Sequence, residues 1–307
     1  MRRYLLKRVF GLIPTVFGVV TLVFLMIHLI PGDPVEIMLG ETAMAAQKQA
    51  MRAELGLDRP VSEQYLRYLS GLFSGDLGKS IKTREPVFSE IVSRWPATFE
   101  LALFALLLAW GVSIPLGALA AARRGTLVDK GSLFVSLVGV AMPNFWLGPL
   151  LIIVFSIWLG WLPVSGREEA AGIILPGITL GAGMAAFLIR LTRSSVLEAA
   201  SEEYIMAARA RGLPEWKVYG KHALANALLP VVTVMGLQFG ALLSGAVITE
   251  TVFSWPGVGR LMIEAIESRD YPVVQGCVLN IALCYVAVNF LVDAAYALLD
   301  PRIRLER

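Results

Sequence analysis

Residues 9–30 read VFGLIPTVFGVVTLVFLMIHLI, a run of 22 residues without an Asp, Glu, Lys or Arg. A transmembrane helix needs about 20 consecutive, mostly apolar residues, so this stretch is long enough to cross a bilayer. Because backbone N–H and C=O groups in lipid must be paired within the segment, a continuous apolar run predicts a helix. The run also exceeds the apolar core of about 7–15 residues in a signal peptide, which favours a retained span over a cleaved leader.

Five more apolar stretches follow, and the composition of the whole chain agrees with them. Of the 307 residues, 56% are apolar and 17% are charged, whereas about one quarter of a soluble domain is charged. These values exclude a soluble enzyme and a disordered chain, and the net charge of +3 is too small to indicate a nucleic-acid partner. The sequence therefore predicts an all-α integral membrane protein with six transmembrane helices. The predicted spans are residues 9–30, 99–122, 132–159, 171–189, 227–248 and 273–299.

The connecting segments on the two sides of these spans differ in basic density. One side holds 16 Lys and Arg residues in about 63 positions, and the other holds 11 in about 103. Cytoplasmic loops carry the excess of Lys and Arg, so the denser side, with both termini, is predicted to be cytoplasmic. The predicted cytoplasmic segments are residues 1–9, 122–131, 190–225 and 300–307. The predicted extracytoplasmic segments are residues 31–98, 160–170 and 249–272.

Two extracytoplasmic segments are long enough to be working surfaces. Residues 31–98 open with a turn cluster at 31–34 and carry two short amphipathic stretches. They fit either a small cap packed on the bundle or a surface that meets a soluble partner, and the two interpretations are compatible. Residues 249–272 contain two turn clusters, in which Trp255 and Tyr271 suit a membrane interface.

The cytoplasmic segment 190–225 is predicted to contain one short helix. Ser201 is expected to cap its first turn, and Glu203 adds negative charge that suits the helix dipole. The helix is expected to stop at Gly212, a residue type favoured just after a helix C-terminus. A helix this short is marginal alone in water, so it needs a partner surface, either its own bundle or another protein.

The sequence offers no catalytic or metal-binding constellation. Gly78-Lys79-Ser80 matches the end of a phosphate-binding P-loop, but Phe73 stands where its first glycine belongs, so ATP binding by this chain is not expected. Two Cys and two His are too few for a disulfide framework or a convincing metal cluster. A stand-alone secondary transporter is the alternative from another class, although no inverted repeat is visible. A membrane-embedded enzyme would need a set such as H-E-x-x-H, which is missing.

Several motifs, in order along nearly the whole chain, resemble those of the membrane permease subunits of ABC-type importers for peptides and nickel. The sequence is most similar to the dipeptide, glutathione and nickel branch of that family. The N-terminal motifs that carry the resemblance are His28-Leu29-Ile30-Pro31-Gly32-Asp33-Pro34, Glu54-Leu55-Gly56-Leu57-Asp58, Gly75-Asp76-Leu77-Gly78, Ala141-Met142-Pro143-Asn144-Phe145-Trp146 and Trp161-Leu162-Pro163. The later ones are Glu203-Tyr204, Ala208-Arg209-Ala210-Arg211-Gly212, His222-Ala223-Leu224-Ala225-Asn226-Ala227, Phe253-Ser254-Trp255-Pro256-Gly257, Arg269-Asp270-Tyr271-Pro272-Val273 and Asp300-Pro301-Arg302-Ile303-Arg304.

The resemblance implies a type I ABC importer permease fold in a bacterial-type cytoplasmic (inner) membrane. The implied domains are an N-terminal cytoplasmic segment with the first span (1–30), an extracytoplasmic loop region (31–98) and a five-helix core (95–300). The implied partners are a second homologous permease, two cytoplasmic ATPase subunits and an extracytoplasmic substrate-binding protein. ATP and Mg²⁺ would bind to the ATPase subunits, while this chain would bind no cofactor or metal and carry no catalytic residue.

The resemblance also implies that segment 190–225 carries the helix that couples the permease to the ATPase. The common signature of that helix is E-A-A-x-x-x-G, and Gly212 matches its glycine. Met206-Ala207-Ala208 takes the E-A-A place without the acidic residue, and Pro230 falls five residues later than the common spacing places a Pro. The candidate coupling residues are Glu202, Glu203, Tyr204, Ala208, Arg209, Ala210, Arg211 and Gly212.

The implied cargo is a di- or oligopeptide, with nickel, a nickel chelate or glutathione as alternatives within the same architecture. Candidate residues of the translocation path are polar or adaptable side chains in or near spans three and five. They are Met142, Asn144, Gln238 and Ser244. Gly177 and Gly181, four residues apart, favour close helix packing over a pore role. The candidate residues for docking of the binding protein are Asp33, Asp76, Trp255, Arg260, Arg269 and Asp270.

Overall fold

The structure, a computed structural model, describes residues 2–29, 34–40, 43–54 and 56–299. The described residues form helices and loops without a strand, apart from an isolated bridge between Lys79 and Pro86. The α-helices are α1 (Arg2–Leu29), α2 (Pro34–Leu39), α3 (Ala45–Glu54), α4 (Val61–Ser74), α5 (Val87–Ala122), α6 (Leu127–Ala141), α7 (Asn144–Leu151), α8 (Ile174–Ala200), α9 (Glu203–Ala210), α10 (Glu215–Lys217), α11 (Leu224–Val252), α12 (Val258–Glu267) and α13 (Tyr271–Leu299). A 3₁₀ turn, Ala170–Ile173, leads into α8, and π-helical turns follow α7 (Ile152–Trp158) and α10 (Val218–Ala223).

Each predicted span corresponds to a helical segment. Four segments are long and apolar enough to cross a membrane, and they match predicted spans two, four, five and six. Residues 9–29 of the first predicted span lie within α1, a helix of 28 residues and therefore about 42 Å long, and residue 30 lies outside the described residues. The prediction of an all-α membrane protein is confirmed. The four segments are Val87–Ala122, Ala170–Ala200, Glu215–Gly240 and Tyr271–Val292.

The third predicted span is not one continuous helix. α6 and the helical segment Asn144–Trp158 are bent by 108° relative to each other. The cause is local, because Met142 and Pro143 both adopt extended backbone angles between the two helices. A residue before proline is pushed out of the helical region, and the proline itself has no N–H for the helical ladder. The sequence showed Pro143 within the span, but an apolar run alone does not predict the break.

α5 begins earlier than its predicted span. It starts at Val87 and is 36 residues long, about 54 Å, which exceeds the roughly 30 Å hydrocarbon core of a bilayer. The end of the predicted extracytoplasmic segment 31–98 is therefore helical and continues directly into span two.

The first of two compact units combines Met1–Ala97 with Pro256–Ala287. Within it α13 runs antiparallel to α1. Gln275 Nε2 donates a hydrogen bond to Val23 O at 2.9 Å, and Leu279 packs with Val20. A second apolar core joins α12 to the first turns of α5 and α13. Its buried members are Val87, Ile91, Val258, Leu261, Ala265, Val273 and Cys277.

α4 lies along α1 in the same unit. Tyr65 Oη is 2.7 Å from Thr21 Oγ1, and the Tyr65 ring lies 5.0 Å from that of Phe24. One turn further out, Gln64 Oε1 is 3.2 Å from His28 Nε2. The second amphipathic stretch predicted in residues 31–98 thus packs against the first span.

The second compact unit combines Thr98–Trp255 with the chain from Val288 onward, and α8 lies at its centre. α8 packs against α5 through small residues, since a Cβ at Gly177 would lie 2.3 Å from Phe104 Cδ1 and one at Gly181 would lie 2.8 Å from Ala105 O. This confirms the predicted close packing at Gly177 and Gly181. α6 runs antiparallel to α8, with Gly139 facing Ala186.

Candidate coupling loop and transport residues

α9 is held on its own bundle by one face. Ile205 and Ala208 are buried in an apolar cluster with Val196 of α8 and Ala227 of α11. Ala121, at the end of α5, belongs to the same cluster. The helix is thus packed on the cytoplasmic-side ends of three long helices in the predicted orientation. Ala208, one of the candidate coupling residues, faces this cluster and not the surface.

The ends of α9 differ in part from the sequence prediction. Ser201 does not cap α9, because it is the C-cap residue that follows α8 and its Oγ donates to Glu198 O at 2.7 Å. Glu202 occupies the N-cap position of α9 without a side-chain capping hydrogen bond. At the other end Gly212 has a φ of 75°, the left-handed conformation that glycine adopts most readily after a helix. The predicted stop at Gly212 is confirmed.

Arg209 is engaged within its own loop. Its Nε and Nη2 donate to Glu215 Oε1 and Oε2 at 3.0 and 3.3 Å, and its guanidinium lies over the Tyr219 ring. The hydrogen bonds to Glu215 raise the pKa of the Arg209 guanidinium. The side chain therefore joins the end of α9 to α10 and the π-helical turn that follows.

The outward face of α9 and α10 exposes large apolar side chains. Trp216 of α10 is 71% exposed, and Met206 and Tyr204 of α9 are exposed as well. Exposed apolar groups of this size, grouped with charged residues, are typical of protein interaction sites. The sequence analysis did not select Met206 or Trp216, although a Trp in a charged cytoplasmic segment is an available signal. The other exposed candidate residues are Glu202, Glu203, Ala210, Arg211 and Gly212.

Asp129 and Arg193 form an ion pair that the sequence analysis missed. Arg193 Nε and Nη2 donate to Asp129 Oδ1 and Oδ2 at 2.5 and 2.9 Å. Asp129 also accepts a hydrogen bond from Gly125 N and is buried. The pair joins the start of α6 to the end of α8. Both residues lie near predicted span ends, where a paired charge is common, but the sequence does not specify the partner.

The candidate residues of the translocation path lie in two places. Met142 and Asn144 are half-buried and flank the break between α6 and α7. Gln238 lies midway along α11, and its Oε1 is buried without a hydrogen-bond partner among the residues that the structure describes. Ser244 lies in α11, but its side chain is outside the described part of the structure. Their role in a path stays a prediction.

The docking candidates differ in accessibility. Asp76 is exposed, and its Oδ1 accepts a hydrogen bond from Gly78 N at 2.9 Å in a tight turn. Arg260 pairs with Glu264 one turn along α12. Arg269 has a φ of 58° in the turn before α13. Asp33 lies outside the described residues.

Trp255 and Asp270 are buried, with exposed fractions of 1% and 3%. Asp270 Oδ2 accepts hydrogen bonds from Ser80 Oγ at 2.5 Å and from Lys82 N at 3.2 Å. These contacts fix the turn between Gly78 and Val87 against the start of α13. Buried side chains offer no surface for a soluble partner, so these two positions shape the predicted extracytoplasmic loops from within.

Among the described residues, no group of three or more His, Cys, Asp and Glu side chains could hold a metal ion. In the part of the chain that the structure describes, Cys277 and Cys284 are not joined in a disulfide.

The chain matches known protein families over nearly its whole length. Residues 113–305 match the family described as "Binding-protein-dependent transport system inner membrane component", and residues 1–102 match its N-terminal companion. The chain belongs to this permease family. It is therefore a multi-pass permease of the inner membrane, with a transport role and not a catalytic one.

Relatives of similar length match the permease from end to end. It is 47% identical over 336 aligned positions to the di/tripeptide transport system permease protein DppB of Pseudomonas aeruginosa, and the alignment covers 100% of both chains. It is 45% identical over 336 residues to the dipeptide transport system permease protein DppB of Escherichia coli K12, with 99% of both chains covered. The glutathione transport system permease protein GsiC of the same strain is 44% identical over 304 residues, again with 99% of both chains covered.

A solved structure supports the fold independently of these sequences. A chain of the inward-facing MetNI methionine ABC transporter aligns with a TM-score of 0.52, covering 68% of the permease and 98% of that chain. At 20% sequence identity this likeness shows the fold alone. The predicted ABC importer permease fold is thereby confirmed.

Proposed function

We propose that this permease forms half of the translocation path of an ATP-driven importer for di- and oligopeptides. The observation that carries the proposal is the end-to-end match, at 45–47% identity, to dipeptide and di/tripeptide permeases. A match of that extent includes the membrane core and both sets of loops, which together determine how cargo enters and leaves.

The second half of the path is a homologous permease in this proposal. The burial of the long helices supports it. Of the most apolar 18-residue stretch of each segment, 67% is buried in the segment that contains α8. The corresponding fractions are 39% in α5, 29% in Glu215–Gly240 and 28% in the segment that begins α13. Three of the four long helical segments thus keep apolar faces that a second membrane subunit and lipid can cover.

Two cytoplasmic ATPase subunits supply the energy in this proposal, and they bind ATP and Mg²⁺. The face of α9 and α10 around Met206 and Trp216 is the surface proposed to meet one of them. Because Ile205 and Ala208 are buried with residues of α5, α8 and α11, a displacement of α9 is transmitted to all three helices. Rigid-body movement of packed helices is a recognised way to alternate access to a central site.

The extracytoplasmic face receives a substrate-binding protein, and both termini lie in the cytoplasm. The basic density of the segments supports this orientation. Among the docking candidates, a soluble partner can reach the exposed Asp76 and Arg269 and the half-buried Arg260, which pairs with Glu264. Trp255 and Asp270 contribute to docking by holding the loops in shape.

The cargo is tested by uptake into proteoliposomes that contain the complete importer with its binding protein. ATP-dependent accumulation of a labelled dipeptide is the expected result. Glutathione and free or chelated nickel are the competing cargoes, and uptake of either in place of the dipeptide would overturn the peptide assignment. Uptake by this chain alone, without ATPase subunits, would instead identify a stand-alone secondary transporter.

A further inference from the structure

The contact of α1, α4 and α13 leaves an apolar cavity of about 640 Å³. Its walls come from α1 between Leu12 and Val20, from the end of α4 and from α13 between Gly276 and Leu283. Asn280 is the one side chain in its wall that carries a polar group. Such a lining fits a hydrocarbon chain and offers little to a polar ligand.

This cavity lies at the depth of the hydrocarbon core. Residues 12–20 lie within the first predicted span, mostly in its N-terminal half, and α4 descends along α1 from His28 to the level of Thr21 and beyond. At the end of α4, the side chain of Phe73 is 93% exposed. Exposure of such a large apolar side chain is unfavourable in water but not in lipid. The mouth of the cavity therefore opens towards acyl chains.

A second cavity of about 500 Å³ lies further out in the same unit, towards the ends of α1 and α13 at His28 and Pro272. Both cavities have Leu77 and Gly276 in their walls. The charged residues that line the outer cavity are Arg67, Lys79, Arg84 and Asp76.

The outer cavity therefore has three basic groups against one acidic group. Its wall also contains Tyr68. Basic pockets between transmembrane helices bind anionic lipid head groups. A free anion would fit this cavity but would leave the apolar cavity below it unused.

We propose that the two cavities together bind one anionic phospholipid, with its phosphate at Arg67 and Lys79 and an acyl chain between α1, α4 and α13. The lipid comes from the leaflet at the His28 end of α1, which is the outer leaflet in the proposed orientation. The bound lipid fills the space beneath α4 and fastens this helix to the first span.

The test uses the assembled importer in nanodiscs that contain phosphatidylethanolamine and phosphatidylglycerol in equal parts. After detergent extraction, native mass spectrometry measures how much phosphatidylglycerol stays on the complex. The double variant Arg67→Gln with Lys79→Gln is expected to lower the affinity for phosphatidylglycerol roughly 30-fold. This factor corresponds to the loss of two contacts of about 1 kcal/mol each. Ile13→Trp, which adds bulk to the apolar cavity without changing charge, is expected to lower retention as well.

Matched controls separate this site from general effects of charge and bulk. Lys82→Gln with Arg94→Gln removes two positive charges from a different cavity of the same unit and is expected to leave retention unchanged. Phe10→Trp is the control for bulk on an exposed face of α1. Equal retention of phosphatidylethanolamine and phosphatidylglycerol, loss of lipid in the controls, or no retained lipid in the unaltered complex would each overturn the proposal.

Discussion

Arg209 and Glu215 form a two-point contact across the end of α9, with Nε to Oε1 at 3.0 Å and Nη2 to Oε2 at 3.3 Å. Tyr219 lies against the same guanidinium, its ring centre 5.7 Å from Cζ. The similarity to importer permeases suggests that basic residues of this loop meet the ATPase directly. The contact geometry instead gives Arg209 the role of holding α9 in position.

Arg209→Glu is expected to uncouple uptake from ATP hydrolysis because repulsion from Glu215 releases the end of α9. Global stability should change little, since an exposed ion pair contributes about 0.2–1 kcal/mol. The measurement is the number of cargo molecules taken up per ATP hydrolysed in proteoliposomes. Adding Glu215→Arg restores the opposite charges and should recover coupling. A swapped variant as uncoupled as the single one would show that Arg209 acts on a partner instead.

Gly212→Val is expected to weaken coupling through the backbone. With φ at 75°, a residue with a Cβ pays roughly 1–2 kcal/mol for the left-handed conformation, and a β-branched one is the least suited to it. Gly212→Asn is the control, because Asn adopts this conformation more readily than other non-glycine residues. The rank order of coupling ratios, wild type, then Asn, then Val, checks the prediction, and equal ratios for Asn and Val would contradict it.

Most of the fold could be predicted because it follows from apolar runs of a definite length. The break at Met142 and Pro143 could not, since proline is tolerated in many transmembrane helices whose neighbours satisfy the freed backbone groups. The packing of α4 along α1 was also out of reach. It depends on the Tyr65–Thr21 contact, and sequence spacing does not specify contacts between distant segments.

The role of the candidate site stays a prediction, and only its local structure can be compared with the sequence. Gly212 was identified because its conformational role is local and glycine is chemically distinctive there. Trp216 was missed since its significance lies in exposure, which depends on how α10 packs. Trp255 and Asp270 were expected at a docking surface because aromatic and charged residues in loops suggest binding, yet both are buried. Burial of a charged side chain depends on partners such as Ser80, which lies 190 residues away in sequence.

Trp216→Ala is expected to weaken the association of the permease with its ATPase. An exposed Trp at the centre of an interface commonly contributes 2 kcal/mol or more, so the dissociation constant should rise roughly 30-fold. Met206→Ala should have a smaller effect in the same direction. The measurement is ATPase binding to the purified permease pair. Leu127→Ala is the control, since Leu127 is also highly exposed on the predicted cytoplasmic side but lies outside the loop. A loss as large in this variant would contradict the assignment.

Asp129→Ala is expected to destabilise the permease by about 3 kcal/mol, the usual effect of removing one partner from a buried ion pair. The guanidinium of Arg193 would lose both of its hydrogen bonds to Asp129, and the start of α6 would lose this polar contact with α8. Removing both partners together, as Asp129→Ala with Arg193→Leu, should restore part of the stability. The measurement is the unfolding midpoint in detergent, and a double variant less stable than the single one would contradict the explanation.

Gln238→Leu separates a structural role from a transport role at α11. Because Gln238 Oε1 is buried without a hydrogen-bond partner, Leu should leave the stability of the permease unchanged or raise it, as an unpaired buried polar atom is unfavourable by about 1–3 kcal/mol. Uptake should nevertheless fall if this oxygen meets cargo or the second permease during transport. Gln238→Glu keeps the shape and an acceptor oxygen and is expected to retain more uptake than Leu. Full uptake by the Leu variant would remove Gln238 from the translocation path and leave it as a residue that faces the lipid or the bundle.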